Sequence, residues 1–210
     1  MRSRLVLAAL FFAAAAQVSS QTAPAAHESP LRLSGGIGIC GYNDAYNAPG
    51  GARYAPGIME GAAIWFDIYP NRGPAFLHGL GVEAEARDID FGRPADQPSN
   101  LREDTGGGGA IYSWRHFHNL TPYGKFLWEQ GSIDFIGVPG YNHDDRDLHA
   151  FGGGIEYRAG RYISVRADYE EQSWERIFEN HKITPPTWLA LKPRGITIGA
   201  SYAFHLRHRH

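Results

Sequence analysis

The sequence predicts an all-β protein: an eight-stranded antiparallel up-and-down transmembrane β-barrel with short turns at one end and four long loops at the other. Three observations carry this. Apolar and polar residues alternate with a period of two in several stretches, which is strand periodicity. The connections between those stretches alternate strictly between short and long. Charged residues fall on one face of the alternation and apolar residues on the other. The 210 residues, 13% aromatic with 26 glycines, suit one folded glycine-rich domain and exclude a disordered polyampholyte or a coiled coil.

Before the first strand, residues 1–20 read as a secretory signal peptide. Arg2 and Arg4 precede the apolar run Leu5 to Ala16, and small residues end at Ser20, the order of charged, apolar and small regions that export requires. Residues 21–30 form a short polar N-terminal segment, and no cysteine sits at the cleavage point for lipid attachment. Cys40 is the single cysteine of the chain, so no internal disulfide forms.

The barrel is expected over residues 31–204. Four strands stand out. Leu80, Val82, Ala84 and Ala86 oppose Gly79, Gly81, Glu83, Glu85 and Arg87. Phe151, Gly153, Ile155 and Tyr157 oppose Gly152, Gly154 and Glu156. Ile163, Val165, Ala167 and Tyr169 oppose Ser164, Arg166, Asp168 and Glu170. Ile196, Ile198, Ala200, Tyr202 and Phe204 oppose Thr197, Gly199, Ser201 and Ala203. Weaker alternation marks Leu31 to Cys40, Ile58 to Ile68, Thr105 to Trp114 and Thr121 to Glu129, where Phe126 and Trp128 oppose Lys125 and Glu129. Short connections are expected at Tyr69 to Ala75, Arg115 to Leu120 and Ala159-Gly160. Long ones are expected over Gly41 to Gly57, Asp88 to Asp104, Gln130 to Leu148 and Glu171 to Pro193. Tight periplasmic turns with long outer loops describe a barrel crossing a bacterial outer membrane. A strand of about nine residues tilted near 40° spans roughly 23 Å, close to the apolar band of about 25 Å.

Charge decides which face meets lipid. A lipid-facing Arg or Lys at the midplane costs about 2–4 kcal/mol, so Glu83, Glu85, Arg87, Lys125, Glu129, Glu156, Arg166, Asp168 and Glu170 are expected to line the lumen. Eight strands leave room for side chains alone, so these charges should pair and plug the interior. Glycines 79, 81, 152, 154 and 199 would relieve crowding there. Trp114, Trp128, Tyr157, Tyr169, Tyr202 and Phe204 are expected to form interfacial girdles.

Three stretches resemble eight-stranded outer-membrane barrels of the OmpA-like, porin-family type: Gly79 to Arg87, Thr121 to Phe126, and Gly152 to Tyr157 continuing through Arg161 to Tyr169. The resemblance spans most of Leu31 to Phe204. Thr197, Gly199, Tyr202 and Phe204 resemble the terminal signal of such proteins, which implies insertion by the outer-membrane assembly machinery. The chain departs from the pattern in the His/Arg-rich tail at residues 205–210, which follows Phe204. The resemblance implies a location in the bacterial outer membrane among outer-membrane lipids and lipopolysaccharide. It does not supply a loop partner.

Motifs of known chemistry have plainer readings. Gly36-Ile-Gly38-Ile-Cys-Gly41 matches the dinucleotide fingerprint in letters, but the Asn-, Pro- and Gly-rich stretch after it does not suit the required helix. Gly199-Ala-Ser201-Tyr-Ala203 lies mid-strand, with no turn to expose a nucleophile. Ser132, Asp134, His143 and His149 fall in or beside one expected loop. They make a lipid A or phospholipid-modifying enzyme the alternative to a structural or surface-interaction role. His143, Asp144, Asp145 and Asp147 lack calcium-loop spacing. Arg115, His116 and His118 read as a polar turn. Trp174, Phe178, Trp188 and Pro185-Pro186 make the last loop more apolar than solvation requires, as a binding loop would be. A soluble calyx for an apolar ligand would need the strands to face the other way. No catalytic residue, metal or cofactor is expected. The net charge of −2 and scattered basic residues exclude nucleic acid as a partner.

Overall fold

The structure, a computed structural model, describes residues 31–43, 46–47, 53–54, 58–71, 74–90, 100–115, 117–136, 143–180 and 187–204. The expected signal peptide, the N-terminal segment and the C-terminal tail therefore lie outside the described residues.

The strands are β1 (Leu31–Asn43), β2 (Ile58–Pro70), β3 (Leu80–Asp90), β4 (Asn100–Ser113), β5 (Leu120–Ile136), β6 (His143–Arg158), β7 (Ile163–Asn180) and β8 (Arg194–Phe204). Each pairs antiparallel with its sequence neighbour, and β8 closes the sheet on β1, with Gly38 opposite Gly199 and Cys40 opposite Thr197. The result is a closed eight-stranded up-and-down barrel. Closure satisfies the backbone groups without an edge, which is what lets strands stand in hydrocarbon. A two-residue ribbon pairs Tyr46–Asn47 with Arg53–Tyr54, and Thr187–Leu191 anneals to the outer part of β7. No described helix is long and apolar enough to cross a membrane.

The short turns and both barrel termini gather at one end. Ala75–Gly79 forms a 3₁₀ turn between β2 and β3, begun by a bond from Leu77 N to Pro74 O of 2.9 Å. The β4–β5 turn is closed by Trp114 N to Pro122 O at 2.8 Å and Leu120 N to Phe117 O at 2.7 Å. Gly160 N donates to Ile163 O at 3.0 Å between β6 and β7.

At the other end the strands outrun their expected bounds. The long connections predicted from Gln130 to Leu148 and from Glu171 are strand over residues 130–136, 143–148 and 171–180. In these extensions the pattern turns over, with Gly131, Ile133, Leu148 and Trp174 buried inward and Gln130, His143, Asp145 and Asp147 exposed, so the outward apolar row stops while backbone pairing continues. Asp134 still pairs with His143, and Leu148 with Trp174. Trp174, expected in a loop, is an inward residue of β7 with 1% exposure. Phe178 and Trp188 fall where no side chain is described, and Pro185-Pro186 lies outside the described residues.

Inside and outside follow the pleat. Ile37, Ile64, Val82, Phe126, Ile155, Val165 and Ile198 are exposed, whereas Glu83, Arg87, Lys125, Glu129, Arg166 and Glu170 are buried. This inversion of the usual pattern of a soluble protein leaves a surface that only hydrocarbon matches. Trp114, Trp128, Tyr157, Tyr169 and Tyr202 stand on that outer surface. Phe204 is half-buried beside Tyr202, with ring centroids 5.4 Å apart.

Candidate functional site

The lumen concentrates the chemistry of the described chain. Alternate residues of eight strands converge on the axis, where three cations are ion-paired with six carboxylates and a seventh carboxylate, Glu103, is buried among Ile89 and Ile133. Lys125 Nζ lies 2.6 Å from Glu85, 2.9 Å from Glu170, and 3.4 Å from both Glu83 and Asp168. Arg166 sits toward the short-turn end, 2.7 Å from Glu83, 3.1 Å from Asp168 and 3.7 Å from Asp67. Arg87 sits toward the loop end, 3.0 Å from Glu85 and 3.3 Å from Glu129, and it also pairs with Glu170. Every charged side chain in this group is nearly solvent-free. In so dry a setting each charge must be matched by partners, because desolvation alone would otherwise dominate.

Neutral donors and aromatic rings extend the group. Tyr123 accepts a hydrogen bond from Arg166 Nε at 2.7 Å and donates to Asp168 at 2.8 Å. The Arg166 guanidinium lies 4.8 Å from the Trp65 ring centroid and 4.6 Å from that of Tyr123. Trp65 Nε1 donates to Ser201 Oγ at 3.1 Å, and Tyr42 donates to Glu170 at 3.2 Å. Above Arg87 an apolar layer covers the charges: Met59, Ile89, Ile133, Leu148, Leu191 and Trp174 are at most 1% exposed. Trp174 Nε1 donates to Gln172 at 2.8 Å.

Eight of the nine residues expected in the lumen thus meet in one network. Glu156 does not join it. It lies opposite Arg166 in the β6–β7 register but is half-buried, close to the short-turn end. Asp67, Tyr123, Tyr42 and the apolar layer escaped sequence reasoning. In β2 the inward row is Trp65, Asp67, Tyr69 and the outward row Ile64, Phe66, Ile68, so amphipathic rings hide the polar row. The signal that would have found Asp67 is its register partner Glu83, already assigned inward.

The terminal residues of the barrel divide between faces. Thr197 is buried inward at 1% exposure, Gly199 faces Gly38 across the closure, and Tyr202 points outward. Gly36 to Gly41 lies wholly within β1, and the next described elements along the chain are strands; Ser201 is fixed by Trp65 within β8.

At the outer rim His143 is clamped between two carboxylates, with Nδ1 2.6 Å from Asp134 and Nε2 3.1 Å from Asp145. These hydrogen bonds, Asp134 first, raise its pKa above the usual imidazole value. Ser132 faces Asp145 in the register, and His149 packs against Trp128 with centroids 5.3 Å apart. Arg146 pairs with Asp144 at 3.1 Å. Among the described residues no three side chains converge as metal ligands. His116 and the tail histidines lie outside the described residues, and His118 occupies the β4–β5 turn with a positive φ of 46°.

No protein-family model matches the sequence, and no curated protein matches it. Solved structures do match. The chain is similar to Ail, the attachment invasion locus protein of Yersinia pestis, with a TM-score of 0.55 at 15% identity over 85% of this chain and 100% of that one. It is similar to Neisserial surface protein A, with a TM-score of 0.53 at 11% identity over 84% of this chain and 98% of that one. The outer membrane protein AlkL, solved in lipid bilayers, gives a TM-score of 0.50 at 15% identity over 91% and 99% of the two chains. At these identities the likeness is one of fold.

Proposed function

We propose that this chain, which has the fold of eight-stranded bacterial outer-membrane β-barrels, is an integral outer-membrane protein with a closed polar interior and a structural or surface-interaction role. The observation that supports the reading is the burial of the inward charged residues. The buried ion network occupies the middle of the lumen, and the layer of Met59, Ile89, Ile133, Leu148, Leu191 and Trp174 lies over it. A water-filled path needs hydrated polar walls, and desolvated pairs under apolar side chains are the opposite. The exposed apolar belt is suited to outer-membrane lipid and the polar collar above it to lipopolysaccharide. β8, with Thr197, Gly199, Tyr202 and Phe204, is the segment that the assembly machinery would read.

A non-enzymatic reading is favoured by the rim. Both ring nitrogens of His143 are occupied by carboxylates, which leaves neither to take a proton from Ser132. A general base needs a free nitrogen within hydrogen-bond reach of its nucleophile.

Planar-bilayer recording of the refolded protein tests the closed interior. The expected trace shows no large, steady, voltage-independent conductance. A general-pore conductance that scales with salt would overturn the closed-lumen reading and leave the membrane assignment standing.

A further inference from the structure

At the short-turn mouth the charge balance reverses. Arg32, from β1, and Arg115, in the β4–β5 turn, both bring their guanidinium groups onto Tyr69, with Cζ 4.4 Å and 4.7 Å from the ring centroid. The ring is fixed: Tyr69 is 2% exposed and its hydroxyl lies 2.8 Å from Ser113 Oγ. Arg158, at the end of β6, belongs to the same corner, its backbone N–H donating to Asn119 O of the turn at 2.8 Å. Glu156 is the carboxylate that offsets Arg115. Asp67, the next one inward, is already engaged by Arg166 at 3.7 Å and by Ser34 at 3.3 Å.

Arg115 is left short of partners. Its Nε and Nη2 are buried with no hydrogen-bond partner. Burial, then the neighbouring Arg32, push its pKa down to about 10. A guanidinium edge with two unfilled donors, beside a second guanidinium, is the arrangement that takes an oxyanion in a forked pair of charge-assisted hydrogen bonds. An anion there would both fill the donors and offset the repulsion between the arginines.

We infer that the short-turn mouth is an oxyanion-binding site, in which a phosphate or carboxylate group accepts hydrogen bonds from Arg115 Nε and Nη2 and is attracted by Arg32 and Arg158. The ring that gathers the arginines is an inward residue of β2 at the short-turn end, and Arg115 as a whole is only half-buried, so the site suits a soluble anion of the compartment below it. A phospholipid headgroup carries the same chemistry by a different route.

The test is a titration of the refolded full-length barrel in zwitterionic micelles, following the arginine Nε–H resonances as inorganic phosphate replaces chloride at constant ionic strength. The expected result is a saturable shift of the Arg115 and Arg32 signals. Arg115→Gln should weaken phosphate binding at least about tenfold, the loss of a charge-assisted pair. Arg115→Lys, which keeps the charge but not the fork, should fall between. A heat-shifted gel band for each variant shows that the barrel is folded. Should Arg115→Gln not fold, Arg158→Gln and Arg115→Lys carry the comparison. A second arm adds phosphatidylglycerol without phosphate. A saturable response in that arm alone keeps the oxyanion site and assigns it to a lipid headgroup. Linear, non-saturating shifts in both arms, or unchanged affinity in every variant, would overturn the inference.

Discussion

Arg166→Ala is expected to lower the unfolding free energy by about 3–5 kcal/mol, the scale for removing one partner of a buried pair. The side chain is 2% exposed and meets Glu83, Asp168 and Asp67 while stacking near Trp65 and Tyr123. Truncation would leave Asp67 with Ser34 and the neighbouring carboxylate Glu83 but no cation, and Glu83 with Lys125 at 3.4 Å. The lost cation is the larger part of the effect, because the carboxylates stay buried without it. Arg166→Lys should recover part of the loss, since a point charge replaces the fork. Urea unfolding of the refolded barrel, read by the gel mobility of the folded form, measures this. An unchanged midpoint for Arg166→Ala would contradict an inward Arg166.

Gly109→Val should be more damaging still and prevent the barrel from closing. A Cβ at Gly109 would run into the backbone oxygen of Phe126 and the Cα of Leu127 on the adjacent strand. Side chains can move aside, but a paired backbone cannot do so without giving up its ladder, so the cost exceeds the usual 1–3 kcal/mol or so of overpacking. Gly106, on the outer surface of the same strand, is the control. A Cβ there meets Ala86 Cβ and Glu85 O at 3.8 Å, which is ordinary contact, and Gly106→Ala should fold as the parent does. Equal yields of folded Gly109→Val and Gly106→Ala would contradict the inward crowding.

The contrast between those glycines shows what the sequence could and could not convey. Strand parity is readable wherever a charged row opposes an apolar one, as in β3 and β7, and it assigns Glu83, Glu85, Arg166 and Asp168 to the inward face. In β4 four consecutive glycines, Gly106 to Gly109, carry no side chain to mark a face, so parity there comes only from pairing with β3 and β5. The polar outer extensions of β5, β6 and β7 were invisible for a related reason. Once the wall leaves the apolar band the outward row turns polar and only isolated apolar residues, Ile133, Leu148 and Trp174, mark the inward face, so the period-two signal fades although the hydrogen-bond ladder does not. The oxyanion site had no sequence signal either. Arg32, Tyr69 and Arg115 come from three separate segments and meet only because the barrel closes.

The most direct test of the central claim is to express the full-length chain in a bacterium, separate the envelope fractions, and run the outer-membrane fraction on a gel with and without boiling. The expected result is a band in that fraction whose mobility changes on boiling, the behaviour of a folded barrel that resists detergent until heated. Recovery in the soluble periplasm with no mobility shift would contradict it, because a surface bearing Ile37, Ile64, Val82 and Ile198 would then have to be covered by something other than lipid.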